Sequence, residues 1–251
     1  MEDDEHPEPT GKMRRPPDEG PIEVGDLELS AATIVELLAD RLTERRRQRI
    51  EDVLEHRTYH VVSVLDGLYD RGNVSAVLRS AEAMGFQSVH VVESQEHFKE
   101  ANRVTQGADK WLDIERWERP ESCIEVLRRR GYRICATDLD ATTSIDEFDL
   151  SVPTAMVWGN EHDGVSDAVL EAADERVVLP IRGFVQSYNI SVSAALCLDR
   201  IFRRRRGPDR QGDLTDDERQ LLRAKYYIRS VDQPERLLRG LLNRQGTGNG
   251  E

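Results

Sequence analysis

The sequence predicts an α/β fold in which a parallel sheet is flanked by helices, with helical extensions before and after it in the chain. Between residues 59 and 206, apolar runs of four or five residues alternate with amphipathic stretches of helical spacing. Strands separated by helices pair in parallel and are covered on both faces. A chain of 251 residues is long enough to bury the core of such a sheet.

Residues 1–29 are predicted to form a disordered acidic tail. They hold five of the ten prolines and few apolar side chains. Residues 1–30 carry ten acidic residues against three basic ones, a net charge of −7 out of −13 for the whole chain. A segment of this composition cannot bury enough apolar surface to offset the entropy lost on ordering.

Residues 30–57 are predicted to form an N-terminal helical extension. Ser30 is placed as an N-cap, and apolar residues then recur at helical spacing from Ile34 to Leu42. A second helix carries Ile50 and Leu54 below a run of arginines. Such a run is usually a solvated helical face, and contact with RNA is the rival interpretation.

The α/β domain is predicted over residues 58–206. Its strands are expected at 61–65, 89–93, 133–137, 155–158 and 176–179, and its helices at 74–84, 122–130, 165–173 and 187–206. Gly207 and Pro208 then mark a break. Residues 207–251 are predicted to be a C-terminal helical extension, because Thr215–Leu242 is amphipathic.

Composition narrows the functional class. The three cysteines have neither a CxxC motif nor ligand-like spacing to the histidines, so no metal site is expected. No apolar run is long enough to span a membrane, and the N-terminus lacks a signal-peptide pattern. We expect a cytoplasmic protein without a membrane partner.

Three polar segments follow predicted strands, where ligands bind in open α/β sheets. They are 70–79, 158–166 and the stretch 179–206, which contains Ser187 and Asn189. In the first, Asn73 is either a helix cap or a site residue. None contains the G-x-G-x-x-G fingerprint of dinucleotide sites, the Lys-Ser/Thr of a P-loop or the G-x-S-x-G of a hydrolase. A polar ligand is expected there, outside these common classes.

Taken together, the segments resemble a known signature. N-x-x-x-x-x-R lies on a helix, G-x-E-x-x-G-V-S follows a strand, and L-P-I-x-G-x-V-Q-S-x-N-I-S-V-S comes last. This order resembles the SpoU branch of the SPOUT superfamily of RNA ribose 2′-O-methyltransferases. Residues 43–57 (TERRRQRIEDVLEHR) and 107–111 (GADKW) are similar to the members that methylate guanosine 18 in the D-loop of tRNA.

The resemblance implies a C-terminal trefoil knot, a homodimer and S-adenosylmethionine as the cofactor. By motif position, the cofactor contacts are expected on Leu139, Gly159, Ile181 and Ile190. The resemblance also implies tRNA as the substrate, with phosphate contacts at arginines and a lysine. These are Arg41, Arg45, Arg46, Arg47, Arg49, Lys110, Arg203 and Arg204.

Five residues are expected to form the catalytic neighbourhood by the same transfer. They are Asn73, Arg79, Glu161, Ser187 and Asn189, with Arg79 central. The chemistry must make a ribose hydroxyl attack a sulfonium methyl. Arg79 acts either as a general base assisted by a substrate phosphate or as a stabiliser of the developing alkoxide charge. No metal is required, because the sulfonium already activates the methyl.

The chain departs from the family pattern at two places. His162 and Asp163 stand where relatives often have a lysine, and Arg71-Gly72 stands where they often have Pro-His. Two alternatives to tRNA methylation remain: an rRNA ribose 2′-O-methyltransferase, and a catalytically silent RNA-binding protein on the same fold. The acidic tail is expected to limit non-specific RNA binding.

Overall fold

The computed structural model describes residues 20–68, 70–92, 107, 109–205 and 212–247. Several predicted features lie outside these ranges: residues 1–19 of the acidic tail, Ala108 of the GADKW stretch, and the ends of one strand and one helix at Glu93 and Arg206.

The N-terminal extension is a hairpin followed by two helices. Strands β1 (Ile22–Val24) and β2 (Leu27–Leu29) pair antiparallel, and helices α1 (Ala31–Ala39) and α2 (Glu44–Leu54) follow. Both helices have the expected kind of cap, since Ser30 Oγ accepts from Thr33 N at 3.1 Å and Thr43 Oγ1 accepts from Arg46 N at 3.2 Å.

Residues 1–29 were predicted to be disordered, and this prediction is wrong for residues 22–29, which form the hairpin. The apolar residues of β1 and β2 pack against a core shared with α1 and the C-terminal helices. Gly25 makes the tight turn between the strands with φ +65°. The prediction used the average composition of the whole acidic segment, in which four apolar side chains near its end carry little weight. These are Ile22, Val24, Leu27 and Leu29.

Seven strands form the predicted parallel sheet. They are β3 (Val61–Asp66), β4 (Ser88–Val92), β5 (Asp113–Trp117), β6 (Arg133–Thr137), β7 (Thr143–Ser144), β8 (Thr154–Trp158) and β9 (Glu175–Val178). Their order is β5-β4-β3-β8-β6-β9-β7, and every neighbouring pair is parallel. The α/β class with a parallel sheet is confirmed.

Helices cover both faces of this sheet. These helices are α3 (Arg71–Ala83), α4 (Pro120–Arg129), α5 (Asp167–Ala172) and α6 (Ile190–Arg205). Helices α3 and α6 contribute to one buried cluster, and α4 and α5 contribute to the cluster on the opposite face. Helices α3 and α6 also contact each other, and a hydrogen bond between Asn189 and Asn73 joins their N-terminal ends.

Two strands of the seven-stranded sheet escaped prediction. Strand β5 has three charged residues among its five, and it lies at the sheet edge with most side chains only partly buried. Strand β7 at the other edge has two residues. Edge strands lack the continuous apolar run that identifies a buried parallel strand.

The C-terminal extension contains two helices, α7 (Asp216–Ile228) and α8 (Pro234–Thr247). Thr215 and Glu218 form a capping box at the start of α7. Helix α7 packs against α1 and α2, so the two extensions share one apolar cluster beside the sheet. No helix in the described ranges is both long and apolar enough to cross a bilayer.

All three cysteines are free and buried. Burial raises the pKa of Cys197 to about 12 and the pKa values of Cys123 and Cys135 further above their usual range. These thiols therefore stay protonated, which disfavours nucleophilic and metal-ligating roles. Within the described residues, no three His, Cys, Asp or Glu side chains are grouped to hold a metal ion.

Candidate active site

The loops that follow β6, β8 and β9 enclose a cavity of about 480 Å³. This edge of the sheet is where α/β folds bind ligands, and the volume lies within the usual range for small-molecule sites. The cavity is lined by residues 137–140 after β6, 159–165 after β8, and 177–193 in part after β9.

All four residues expected to contact the cofactor line this cavity. Ile190 is buried at the start of α6, Ile181 is partly exposed, and the Leu139 side chain is 62% exposed at the cavity edge. Gly159 supplies backbone rather than a side chain. The arrangement offers apolar walls to a ring and backbone amides and carbonyls to its edge.

The glycine spacing in the β8 loop has a steric origin. A Cβ on Gly159 would lie 2.0 Å from the carbonyl carbon of Gly164. The loop folds back on itself, because the backbones of Asn160 and Gly164 exchange hydrogen bonds of 2.9 and 3.2 Å. The Asn160 side chain accepts from the amides of His162 and Asp163 at 2.8 Å each. The loop is therefore closed internally and leaves little room at Gly159.

The cavity lining is acidic. Carboxylates of Asp138, Asp140, Glu161 and Asp163 border it, and no lysine or arginine from the described ranges does. Such a lining suits a ligand with positive charge and hydroxyl groups. S-adenosylmethionine fits these carboxylate acceptors, because it carries a sulfonium, an ammonium and ribose hydroxyls.

A hydrogen-bond network joins three of the predicted catalytic residues across three elements. Asn73 on α3 donates through Nδ2 to Glu161 in the β8 loop. Asn189, just before α6, donates to Asn73 Oδ1 at 3.2 Å. Asn189 Oδ1 accepts from the amide of Ser191 at 3.0 Å and from its hydroxyl at 2.6 Å. The network holds the three signature segments together beside the cavity.

The cap of α3 differs from the sequence interpretation of Asn73. Helix α3 begins at Arg71, and its N-cap is Asp70, whose Oδ1 accepts from Asn73 N at 2.9 Å. Asn73 lies within the first turn, which leaves its side chain available to Glu161 and Asn189. Likewise, α6 begins at Ile190 rather than at Ser187. Ser187 is exposed in the loop and lines the cavity.

Arg79 lies apart from the network. It lies six positions after Asn73, which corresponds to about 600° of rotation and about 9 Å of rise along α3. Arg79 is exposed and makes no hydrogen bond or ion pair with the residues that the structure describes. Its guanidinium is therefore available to a substrate or to another subunit.

The predicted RNA-binding residues differ in whether their side chains already have a partner within the chain. The side chains of Arg41, Arg45, Arg46 and Arg49 are exposed and have no ion pair within the described part of the chain. Arg47 instead pairs with Glu44 at 2.5 Å and donates to the carbonyl of Ala39 at 3.0 Å. Arg45, Arg46 and Arg49 thus give one face of α2 an unpaired positive charge. Arg47 instead connects α2 to α1 through its hydrogen bond to Ala39.

The other three predicted RNA contacts have local partners. Lys110 Nζ lies 5.2 Å from the centre of the Trp111 ring. Arg203 pairs with Asp199 at 2.8 Å on an exposed helix face. Arg204 donates to the carbonyls of Ile145 and Phe148 at 2.7 and 2.5 Å. A phosphate contact by Arg204 would require these hydrogen bonds to break.

Several residues of the site were missed from the sequence. Asp138 and Asp140 line the cavity directly after β6, and their position at a strand end was the available signal. Asp66 is buried at the end of β3 and accepts from Ser166 N at 2.8 Å, so it anchors the β8 loop. An isolated aspartate between an apolar run and a glycine gives no sequence signal for that contact.

Comparisons with known proteins identify the family of this chain. The model of the SpoU rRNA Methylase family matches residues 60–199. The tRNA (guanosine(18)-2′-O)-methyltransferase of Borreliella burgdorferi is 33% identical over 82% of this chain and 95% of its own length. That of Aquifex aeolicus is 31% identical over 75% of this chain and 91% of its own length.

Solved structures show the same relation. The crystal structure of the A. aeolicus TrmH/SpoU tRNA modifying enzyme has a TM-score of 0.66 and 30% identity, covering 75% of this chain and 98% of that one. The SpoU methyltransferase AviRb from Streptomyces viridochromogenes, solved with AdoMet, has a TM-score of 0.53 and 25% identity over 61% of each chain. The chain therefore belongs to the SpoU rRNA methylase family.

Proposed function

We propose that this chain methylates the ribose 2′-hydroxyl of guanosine 18 in tRNA, using S-adenosylmethionine. The observation that carries the proposal is the network in which Asn73, Glu161 and Asn189 meet beside an acidic cavity. The similar proteins named for this activity match most of their own length. Residue 18 lies in a loop of tRNA, where a ribose is accessible.

The cofactor would lie in the 480 Å³ cavity. Leu139, Ile181 and Ile190 would wall its adenine, and the backbone of Gly159, which lines the cavity, would face the edge of that ring. The carboxylates of Asp138 and Glu161 would face its positive charge and hydroxyls. When bound, the cofactor supplies an electrophilic methyl, and AdoMet is the ligand solved with the related AviRb.

The residues of the chain would position and stabilise the reacting hydroxyl. Asn73 and Asn189 are held by each other and would orient the ribose, with Ser187 adjacent in the loop. The hydroxyl would pass its proton to a substrate phosphate or to water, and the negative charge left on its oxygen would be used up as the C–O bond forms and the S–CH₃ bond breaks. Arg79 would stabilise that charge through the N–H donors of its guanidinium.

Arg45, Arg46 and Arg49 on helix α2, together with Arg41 just before it, would bind the tRNA backbone, which is the role we propose for the extension over residues 30–57. These exposed side chains have no acidic partner in the described part of the chain. Contacts to phosphates release counterions and supply affinity that falls with salt. We retain Arg47, Lys110, Arg203 and Arg204 as weaker candidates, because each already has a partner.

We propose that the active form is a homodimer. An exposed apolar patch adjoins the cavity: Phe184 and Val185 in the loop are fully and 63% exposed, and Val192 and Leu196 lie one turn apart on α6 at 45% and 39% exposure. Contiguous exposed apolar side chains mark interaction surfaces. A second copy seated there would also allow the separate Arg79 to approach the cavity of the other subunit.

Val192→Asp is expected to convert the dimer to a monomer. A carboxylate in the middle of an apolar interface loses its hydration without gaining a partner, whereas within the first turn of α6 it suits the helix dipole. Val152→Asp is the matched control at 38% exposure outside the patch. Sedimentation equilibrium should give two chain masses for wild type and control and one for Val192→Asp. A monomeric wild type would contradict the proposal.

The trefoil knot and the cytoplasmic location follow from the resemblance and the composition, and we retain both as proposals. The knot would involve the loops after β6, β8 and β9, which also form the cavity. A knotted cofactor site would keep these three loops in fixed contact.

Methyl transfer to purified RNAs tests the function. The wild-type chain would be incubated with methyl-labelled S-adenosylmethionine and either a tRNA transcript or ribosomal RNA. Label in an alkali-resistant dinucleotide from tRNA is expected, because a 2′-O-methyl blocks cleavage of the next phosphodiester. Label only in ribosomal RNA would favour the alternative substrate, and cofactor-independent RNA binding without label would favour a silent protein.

A further inference from the structure

A second, smaller cavity lies between α2, the end of α3 and α7. Its volume is about 160 Å³, and it shares no lining residue with the cavity after the sheet strands. We name it the aromatic pocket. It is lined by Arg46, Arg49, Ile50, Val53, Arg57, Glu82, Trp111 and Tyr226.

The walls of the aromatic pocket are preformed. Trp111 meets Tyr226 edge to face, with ring centres 5.5 Å apart and planes at 87°. The Tyr226 hydroxyl donates to Gln87 at 2.8 Å, and Gln87 donates to the carbonyl of Trp111 at 3.0 Å. Because the two rings are perpendicular and Tyr226 is 1% exposed, a flat ring would stack on the partly exposed Trp111, which is held in place at little cost in side-chain entropy.

The pocket also contains an Arg57–Glu82 pair that does not use all of its hydrogen-bonding groups. Arg57 is 1% exposed and donates to the carbonyl and the carboxylate of Glu82 at 3.0 and 2.6 Å. Its buried Nε has no acceptor among the described residues, and these bonds engage only one carboxylate oxygen of Glu82. A buried donor without an acceptor is costly. Because Arg57 Nε is shielded from solvent, a ligand in the pocket would meet the second carboxylate oxygen of Glu82, which suits a ligand edge carrying a donor.

Positive charge lies at the pocket rim. Arg46 and Arg49 are three residues apart on α2, so they project from the same face, and both are exposed. On α3, Glu82 lies three residues after Arg79, which places the pocket about one helical turn from the proposed catalytic arginine. A polyanion reaching Arg79 would therefore pass close to the pocket.

We propose that the aromatic pocket binds one unstacked nucleobase of the tRNA, close in sequence to the methylated nucleotide. The cavity is smaller than usual small-molecule sites, so it suits a single ring system and not a whole nucleotide. Trp111 stacks the base, the second carboxylate oxygen of Glu82 accepts from its edge, and the rim arginines hold its phosphates. This inference rests on the proposed tRNA substrate.

A fluorescent base placed at successive loop positions tests the pocket. Full-length tRNA transcripts would each carry one 2-aminopurine in the D-loop or variable region and be titrated with the whole chain. Val53→Phe fills the pocket while keeping Arg57, Glu82 and Trp111. Val35→Phe on α1 is the matched control, because Val35 is also partly buried but lines a different part of the helical extension. Trp111→Leu removes one wall.

At one position, quenching is expected with wild type and Val35→Phe and is lost in both pocket variants. The affinity for tRNA should fall about tenfold in Val53→Phe, as for the loss of one stacked base. Quenching retained in both pocket variants would overturn the inference, as would its absence at every position with wild type. Quenching without methyl transfer to unmodified tRNA would instead refute the proposed function, while the inference that the pocket binds a base would still hold.

Discussion

Arg79→Ala is expected to lower the rate of methyl transfer at saturating tRNA by about a hundred- to a thousandfold, the cost of removing one donor to a developing oxyanion. Stability should change by no more than about 0.5 kcal/mol, because Arg79 is exposed and has no partner among the described residues. Cofactor affinity should also stay unchanged, since Arg79 does not line the cavity. Single-turnover kinetics and calorimetric titration measure these quantities.

Arg45→Ala is the control for this variant. Arg45 is another exposed helical arginine without an ion pair in the described ranges, but it lies on α2. Its loss should weaken tRNA binding and reduce the salt dependence of that binding, while the rate at saturating tRNA is kept. If Arg79→Ala behaves in the same way, Arg79 binds tRNA and does not stabilise the transition state.

Gly159→Ala is expected to weaken cofactor binding by about ten- to a hundredfold, because overpacking a closed site costs about 1–3 kcal/mol. The added methyl would meet backbone atoms of Gly164 and Val165 at 2.0 and 2.1 Å. Backbone atoms cannot avoid such a clash by a rotamer change, as a side chain can. The β8 loop must therefore move, and it carries Glu161 and part of the cavity wall with it.

Gly183→Ala supplies the matched control for Gly159. It lies in the neighbouring loop, and a Cβ there would meet no atom within 4 Å. Calorimetric titration with S-adenosylmethionine should give a near wild-type affinity for Gly183→Ala. Equal affinities for both variants would show that the cofactor does not depend on the β8 loop geometry.

The elements that bring the site together were predictable because they are buried. Strand β6 matches its predicted bounds, and β3 and β8 differ by one residue at one end. Their continuous apolar runs identify parallel strands. Once these strands are placed, the polar segments after them must meet at one edge of the sheet, which is where Glu161 and Asn189 lie.

The parts that were missed depend on contacts between distant segments. The hairpin of β1 and β2 is ordered by the apolar cluster shared with α1 and α8, although its local composition is acidic. Asp66 acquires its role only when the loop before α5 folds onto it. The separation of Arg79 from the Asn73 network follows from helix geometry, and the sequence motif that names both residues does not reveal it.

Transfer of labelled methyl to two tRNA transcripts tests the central claim most directly. One transcript carries guanosine at position 18, and the other carries 2′-O-methylguanosine there and is otherwise identical. We expect label in the first transcript only, with loss of that label in Arg79→Ala. Equal label in both transcripts would contradict the assignment of guanosine 18, and no label in either would contradict tRNA as the substrate.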